Sequence, residues 1–349
     1  MEACAQSDSQ STLRALLFDL RNSGSEFAGT FANHAPMVLV AQQRMGASGD
    51  QLRRFLAHYD AYKGLLPFKD SAIGIDAGNW SHFLGQREHE GAYRRFFAAE
   101  RSAMGLAGLL RHWLPKLAPG LGSSAFHALM RTAYALLNDD EDEVVLSLAY
   151  WCACWLDMPA RTNAPSISSD PSAILVYAGS LPTAKGQPVH DLIWQNMRQS
   201  FALPGFETAS DWLAIDNSAL ERCASAAIAL FAATQDFCAL HAVTGLHWIR
   251  VLQPWHDATD EMVRYFWAGI AALMNEMQFP VPPSAEALER WRTLPCPDWP
   301  DIFAAACQSF DEHDLSLTFS CAQEEETYHE PLYRRAAARR LGMIPEMKA

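Results

Sequence analysis

The sequence has few basic residues and no long apolar run. Its 349 residues include 27 Lys and Arg against 40 Asp and Glu, which gives a formal net charge of −13. Proteins that bind duplex nucleic acid or anionic membranes use basic patches, so we expect neither as a partner. No stretch reaches the roughly 20 uninterrupted apolar residues that span a bilayer.

Signals for export or disulfide formation are also missing. The N-terminal stretch MEACAQSDSQS lacks the basic segment and apolar run of a secretory signal. The eight cysteines are scattered without a CxxC pair, which excludes a zinc ribbon and a disulfide scaffold. The sequence therefore predicts a reduced, cytoplasmic protein.

The common catalytic and nucleotide-binding motifs are absent as well. The chain contains no strand–GxGxxG–helix unit, no P-loop, no GxSxG elbow and no HExxH. A reductant such as NADPH can still bind without such a fingerprint. The absence argues against familiar enzyme classes but leaves redox chemistry open.

What the sequence does contain is helical periodicity in a chain that is 50% hydrophobic. In SSAFHALMRTAYALL (123–137) apolar residues recur every three or four positions, with Ser123 or Ser124 as the predicted N-cap. In NHAPMVLVAQQRMG (33–46) the predicted cap is Asn33. The run 88–116 is predicted to be one long helix or two. Further helices are predicted at 140–157, 218–253, 259–276, 284–293, 300–308, 310–329 and 331–341.

Credible strands are few, and the best is ILVYAG at 174–179. The prediction is therefore an all-α protein, either one large multi-helix bundle or two helical halves around a central pocket. The halves would be residues 1–157 and 189–349, and the Pro-, Ser- and Gly-rich segment 158–188 would be a linker or long loop between them. We expect the halves to pack into one compact domain.

Five histidines lie within apolar helical faces of this pattern. For one alone, a hydrogen-bonded core histidine is the better interpretation. Several unpaired buried imidazoles are costly, however, and a shared metal ion would satisfy them together. Helical bundles build metal sites in this way, with ligands that face inward from different helices. The candidates are His34, His127, His241, His247 and His313.

Two of these histidines belong to one stretch, LHAVTGLHWIR at 240–250. An offset of six residues is about 240° of rotation on an ideal helix, so His241 and His247 cannot both point at one ion. Either Gly245 distorts the helix, or one histidine is a ligand and the other lines the pocket or lies behind the ligands. Thr244 is three residues from each and could orient either.

The motifs, taken in order, resemble the questin oxidase-like family. The resemblance spans about residues 15 to 340. It implies an oxidoreductase of aromatic polyketide metabolism, which cleaves an anthraquinone ring or inserts oxygen in a Baeyer–Villiger-like reaction. It also implies a mononuclear non-haem iron bound mainly by histidines. The matching pieces are FANHAPMVLVAQQRMGAS (31–48), FHALMRTAYALL (126–137), LHAVTGLHWIRVL (240–252) and DEHDLSLTFSCAQE (311–324).

The resemblance assigns metal binding to His34, His127, His241 or His247, and His313. The metal would be Fe(II) or another divalent transition metal, and the partners would be dioxygen and a small aromatic or apolar ligand. The oligomeric state is left open. The residues that we predict to bind the substrate are Met37, Tyr134, Thr244, Trp248 and Ser316.

Ser316 is a departure from the family pattern. The resemblance implies H-x-x-K after the last histidine, with a lysine that can become carboxylated and offer an oxygen ligand. Here a serine occupies that position. This favours, as an alternative, a redox-inactive member that binds an apolar ligand or acts as a scaffold. A third hypothesis is a metal-independent oxygenase that uses a nicotinamide cofactor directly.

Overall fold

The chain folds into an almost entirely helical structure, as predicted. The computed structural model describes residues 2–346, with side chains from residue 8 onward. Within that part, a two-stranded antiparallel hairpin, β1 (Glu26–Phe27) and β2 (Phe31–Ala32), accompanies fifteen α-helices. The helices are α1 (Glu2–Leu20), α2 (Ala35–Arg44), α3 (Gly49–Lys63), α4 (Glu90–Leu117), α5 (His127–Leu137), α6 (Glu141–Ala153), α7 (Pro171–Ser180), α8 (Ile193–Phe201), α9 (Ala219–Thr234), α10 (Phe237–Leu252), α11 (Thr259–Ala271), α12 (Ala285–Arg292), α13 (Trp299–Ala306), α14 (Glu312–Tyr328) and α15 (Leu332–Arg340).

Several helices begin at side-chain caps that the sequence supplies. Asp140, Asp236 and Asp311 each accept a hydrogen bond from a backbone N–H in the first turn of α6, α10 and α14. Ser48 and Gln51 form a capping box at the start of α3. These caps satisfy N–H groups that a helix leaves unpaired at its N-terminus.

The predicted strand at 174–179 is wrong, because this segment belongs to α7. Asp170 caps the helix through Ser172 N, and Pro171 occupies the first turn, where its missing N–H costs nothing. The buried side chains Ile174, Leu175 and Ala178 then follow helical spacing. A short apolar run does not distinguish a strand from a buried helix by itself.

Two long predicted helices are interrupted. The stretch 218–253 contains α9 and α10, which are separated where Gln235 adopts a left-handed conformation with φ 53°. Within α4, Gly105 has φ 71° and kinks the helix. Both interruptions allow the two parts to follow different directions around the core.

Four helices form a closed ring at the centre of the protein. The ring is made by α2 against α5, α5 against α10, α10 against α14, and α14 against α2. Two of them come from 1–157 and two from 189–349, and one continuous hydrophobic core runs from Leu13 to Ala338. Segment 158–188 contributes α7, which packs on α9 and α11. Both halves of the chain therefore build the same core.

Two other features of the described chain agree with the sequence. None of its helices combines the length and apolar character needed to cross a bilayer. The seven cysteines with described side chains are free thiols, six of them buried.

Candidate metal centre

The four central helices each bring one histidine to a common point. His34 is the N-cap of α2, and His127 is the first residue of α5. His241 lies in the second turn of α10, and His313 is the second residue of α14. The centroid of the His34 ring lies 4.4 Å from that of His127 and 5.1 Å from that of His313. The His241 ring lies 5.6 Å from His127 and 5.8 Å from His313, so the cluster is closed.

The chain enters α2 in a way that fixes His34. Asn33, which we expected to be the cap, lies one residue before it, although its Oδ1 still accepts a hydrogen bond from Ala35 N at 3.1 Å. The backbone N–H of His34 donates to the hydroxyl of Tyr59 at 3.0 Å. Pro36 follows in the first turn. These hydrogen bonds hold the backbone on both sides of His34 in place, and its imidazole lies in the cluster.

His127 is positioned by an unusual turn. Ser124, Ala125 and Phe126 have φ values of 46°, 56° and 70°, three successive non-glycine residues in the left-handed region. The N-cap is Phe126, so the expectation that Ser123 or Ser124 caps α5 is wrong. Such conformations are strained and persist only where their surroundings hold them. Here the Tyr150 hydroxyl donates to Ser124 Oγ at 2.6 Å.

All four clustered histidines anchor one ring nitrogen. Nδ1 of His34 lies 2.9 Å from Ala32 O, and Nδ1 of His241 lies 2.8 Å from Phe237 O. His127 Nδ1 contacts Ser124 O, and His313 Nδ1 lies 3.1 Å from Asp311 Oδ1. Carbonyl and carboxylate oxygens only accept hydrogen bonds, so each Nδ1 carries the proton.

The second ring nitrogen, Nε2, is consequently left with its lone pair. Among the described residues, none of the four makes a hydrogen bond at Nε2, and His34 Nε2 is buried without any partner. Metal-binding histidines almost always donate their other ring N–H to a carbonyl or carboxylate, which fixes the tautomer and the ring orientation. The anchoring pattern is the one that a metal site requires.

Distances and charge state fit a metal ion as well. One ring nitrogen from each of His34, His127 and His313 lies within 4.8 Å of the others. Bonds of about 2.1 Å from nitrogen to a metal place neighbouring ligand nitrogens about 3 to 4 Å apart, so small side-chain movements close this set of three. His241 is not part of the set at this distance and would have to move further. Burial, followed by the charges of neighbouring histidines, lowers the pKa of His34, His127 and His241 well below the usual value. Neutral imidazole is the form that binds metal.

His247 lies outside this cluster. The helix α10 is regular through Gly245, so the six-residue offset between His241 and His247 persists. His247 is fully buried, its Nδ1 lies 2.9 Å from Ser320 Oγ, and its ring packs against Phe319. The structure brings His241 to the other three histidines and turns His247 away.

The predicted substrate-binding residues are buried in the packing between the central helices. None of the five lines the cavity beside the histidines; they are Met37, Tyr134, Thr244, Trp248 and Ser316. Thr244 donates to Leu240 O at 3.2 Å and orients neither histidine. Burial raises the pKa of Tyr134 to about 12, an effect that the hydroxyls of Ser316 and Ser320 oppose. These five side chains therefore contribute to the packing between the central helices.

A cavity of about 220 Å³ opens beside the four histidines. Aromatic side chains line it, and two of them are partly exposed: Phe31 at 43% and Phe237 at 44%. Trp194 also lines it, with a buried Nε1–H that has no hydrogen-bond partner. The remaining aromatic residue of the wall is Phe27. The cavity therefore joins the imidazole cluster to an aromatic surface.

The sequence did not predict the three charged residues of the wall, which are the exposed Asp191 and the ion pair of Lys63 and Glu312. Lys63 Nζ lies 3.1 Å from Glu312 Oε1, and the same carboxylate oxygen lies 4.0 Å from His34 Nδ1. The only signal for Glu312 was its place next to His313, where an acid is also expected from the helix dipole alone. Lys63 ends α3 and carries no signal in the sequence. Only the fold brings it to the cavity.

The fold and the site define a helical protein in which four clustered histidines, three of them buried, lie beside an aromatic cavity. Residues 31–318 match the family described as Questin oxidase-like, and the chain belongs to this family. The match includes all four clustered histidines and confirms the resemblance seen in the sequence. Membership suggests an oxidoreductase that acts on aromatic, polyketide-type compounds. No curated protein matches the chain.

Proposed function

We propose that this protein is a non-haem iron-dependent oxygenase that acts on a compact aromatic or quinone-type substrate. The observation that carries the proposal is the set of four histidines with anchored Nδ1 atoms and free Nε2 atoms beside an aromatic cavity. Ring cleavage and Baeyer–Villiger-like oxygen insertion are the two reactions that this family membership favours.

His34, His127, His241 and His313 would hold the metal. Imidazole ligands suit iron but also zinc, copper and nickel, and the redox reaction favours Fe(II). When bound, Fe(II) supplies redox chemistry toward dioxygen. Burial keeps the imidazoles of His34, His127 and His241 neutral, and the hydrogen bonds at Nδ1 fix the orientation of all four rings.

The cavity wall would bind and orient the substrate. Phe27, Phe31 and Phe237 offer apolar ring surfaces on which a flat aromatic compound can stack. Trp194 offers its unpartnered Nε1–H to a carbonyl or hydroxyl oxygen of the substrate. The cavity volume of about 220 Å³ lies below the roughly 300–1,000 Å³ of typical pockets for drug-sized ligands. This size favours a substrate of one or two rings.

The indole of Trp194 is itself held in place by two cations. The guanidinium groups of Arg87 and Arg198 lie 5.2 Å and 4.7 Å from the centroid of its ring. Such cation–π contacts contribute on the order of 0.5–1 kcal/mol each at partly exposed sites. They hold the indole ring in place at the cavity.

The alternative hypothesis of a redox-inactive protein was based on Ser316, which occupies the position of the family's lysine. Its Oγ is buried without a hydrogen-bond partner among the described residues and does not line the cavity. The serine therefore changes neither the polarity of the cavity wall nor the four anchored imidazoles. In the proposed function NADPH is an external reductant, which needs no nucleotide-binding domain in this chain.

Metal analysis and oxygen uptake together test the proposal. Protein purified without chelators should contain about one transition-metal ion per chain. It should consume dioxygen with a hydroxylated benzoquinone or naphthoquinone and NADPH. His127→Ala should lose the metal and the oxygen uptake, while the exposed His112→Ala should keep both. Metal-free wild-type protein that cannot be loaded with Fe(II), or loaded protein without oxygen uptake on a broad panel, would contradict it.

A further inference from the structure

Glu312 is a buried carboxylate in direct proximity to the histidine cluster. It is the first residue of α14, immediately before His313, and its side chain is only 8% exposed. Its Oε1 lies 4.0 Å from His34 Nδ1, and it lines the same cavity as the four histidines. A buried carboxylate is costly unless it is paired.

Its partner is Lys63, at the C-terminal end of α3. The Nζ to Oε1 distance is 3.1 Å, and Lys63 lines the cavity too. Lys63 also lies over the ring of Phe27, with Nζ 5.5 Å from the centroid. The pair is neutral as a unit, and the negative member faces His34.

The centre needs negative charge. Four neutral imidazoles leave the 2+ charge of a divalent ion uncompensated. All four histidines also lie within the first two turns of their helices, at ends with partial positive charge. Asp311 is already engaged with Arg340 Nη2 at 2.8 Å and with His313, and Asp191 of the wall is exposed. Glu312 is the buried carboxylate of the wall that remains.

We propose that Glu312, held by Lys63, is the anionic member of the four-histidine centre and sets its affinity for a divalent metal ion. It acts as a charge-balancing residue whose Oε1 lies 4.0 Å from His34 Nδ1, and the inference rests on the proposed function. Loss of partners around the ligands typically lowers metal affinity by roughly 10- to 100-fold. Neutralising Glu312 should have an effect of this size because it also leaves Lys63 unpaired.

Titration of chelator-treated protein with Co(II) alone tests this inference without any turnover. Calorimetry gives the affinity, and the visible spectrum of Co(II) reports the ligand environment. The variants are Glu312→Gln, Glu312→Asp, Lys63→Met and the double variant Lys63→Met/Glu312→Gln. Glu324→Gln is the matched control, since Glu324 is buried on the same helix and paired with Arg250 at 2.6 Å.

We expect Glu312→Gln to weaken Co(II) binding at least tenfold, with Glu312→Asp intermediate. Lys63→Met should tighten binding roughly three- to tenfold, and the double variant should return to within about threefold of wild type. Glu324→Gln should bind Co(II) like wild type.

The outcomes separate the two proposals. Wild-type protein that binds Co(II), together with a Glu312→Gln variant of native circular dichroism and unchanged affinity, would overturn the role of Glu312 alone. Equal weakening by Glu324→Gln would also overturn it, because the effect would then be structural. Wild-type protein that binds no Co(II) would overturn the proposed function and this inference with it.

Discussion

At the residue scale, the direction in which each histidine points decides its role. The sequence showed that His241 and His247 could not both reach one ion, but it could not choose between them. The choice depends on which side of α10 faces the centre of the ring, and this follows from packing against α5 and α14. His241 faces His127 and His313, whereas His247 is hydrogen-bonded to Ser320.

Substitution of His241 and of His247 in separate variants distinguishes a metal ligand from a buried core histidine. His241→Gln should lower the metal affinity at least tenfold, because it removes a neutral imidazole from the centre. His247→Gln should keep the metal, because its side chain lies outside the cluster. Metal content after dialysis against a limiting chelator measures both. Equal loss from the two variants would mean that His247 contributes to the centre after all.

His247 should instead make the fold sensitive to acid. Burial, helped by the charge of Arg250, lowers its pKa to about 3, while an unfolded chain titrates near 6.5. Between those values the unfolded state binds a proton that the folded state does not, so the free energy of unfolding falls as the pH drops. From pH 7 to pH 5 this residue alone should account for about 2 kcal/mol.

Urea denaturation of metal-free protein at the two pH values measures this effect. The difference between pH 7 and pH 5 should be about 2 kcal/mol smaller in His247→Gln than in wild type. His58→Gln, at an exposed position, should keep the wild-type difference. An identical pH dependence for wild type and His247→Gln would show that His247 is not held neutral in the folded protein.

At the element scale, the helices themselves could be predicted from apolar spacing, because helical periodicity and caps are local properties. Their exact starts could not be predicted where tertiary contacts override local preference. The left-handed turn at Ser124–Phe126 is an example, since no glycine marks it and the Tyr150 hydroxyl holds it. The role of Gly245, in the middle of α10, could not be predicted either. The sequence allowed a distorted helix there, whereas the structure shows a regular helix packed closely against Phe266.

A Gly245→Ala variant should destabilise the packing of α10 on α11. A Cβ at this position would lie 2.2 Å from Phe266 Cε2, in a fully buried contact. Overpacking of this kind costs typically 1–3 kcal/mol, more than the roughly 1 kcal/mol gained from the better helix propensity of alanine.

Gly108→Ala in α4 is the matched control, because its Cβ would lie no closer than 3.1 Å to another atom, the Cβ of Met104, and a shift of a few tenths of an ångström relieves this contact. It should be neutral or slightly stabilising. Thermal and urea unfolding compare the two variants. A Gly245→Ala variant that is as stable as wild type would contradict the close approach of Phe266.

At the scale of the whole molecule, the central ring explains why the two sequence halves belong to one core. Helices α2 and α5 come from the first half and α10 and α14 from the second, so the centre exists only when both halves are folded. The family could be recognised because its motifs follow in order along the chain, and the all-α fold because helical periodicity is visible in the sequence. Four of the five predicted histidines converge because the four central helices that carry them pack around one point.

The cavity wall could not be predicted from the same motifs. Lys63, Phe27 and Trp194 come from segments with no distinctive pattern, and they meet only through the tertiary fold. The predicted substrate contacts lay beside the histidines on the helices, and such positions are occupied by packing between helices. Residues that touch the cavity are those near helix ends and in the connecting segments.

The most direct test of the account is an anomalous-scattering map from crystals of the metal-loaded protein, collected on both sides of the metal absorption edge. We predict one peak per chain, within bonding distance of the Nε2 atoms of His34, His127, His241 and His313. Glu312 should lie close by and His247 away from the peak. Absence of a peak, or a peak bound by His247 or by surface carboxylates, would contradict the four-histidine centre.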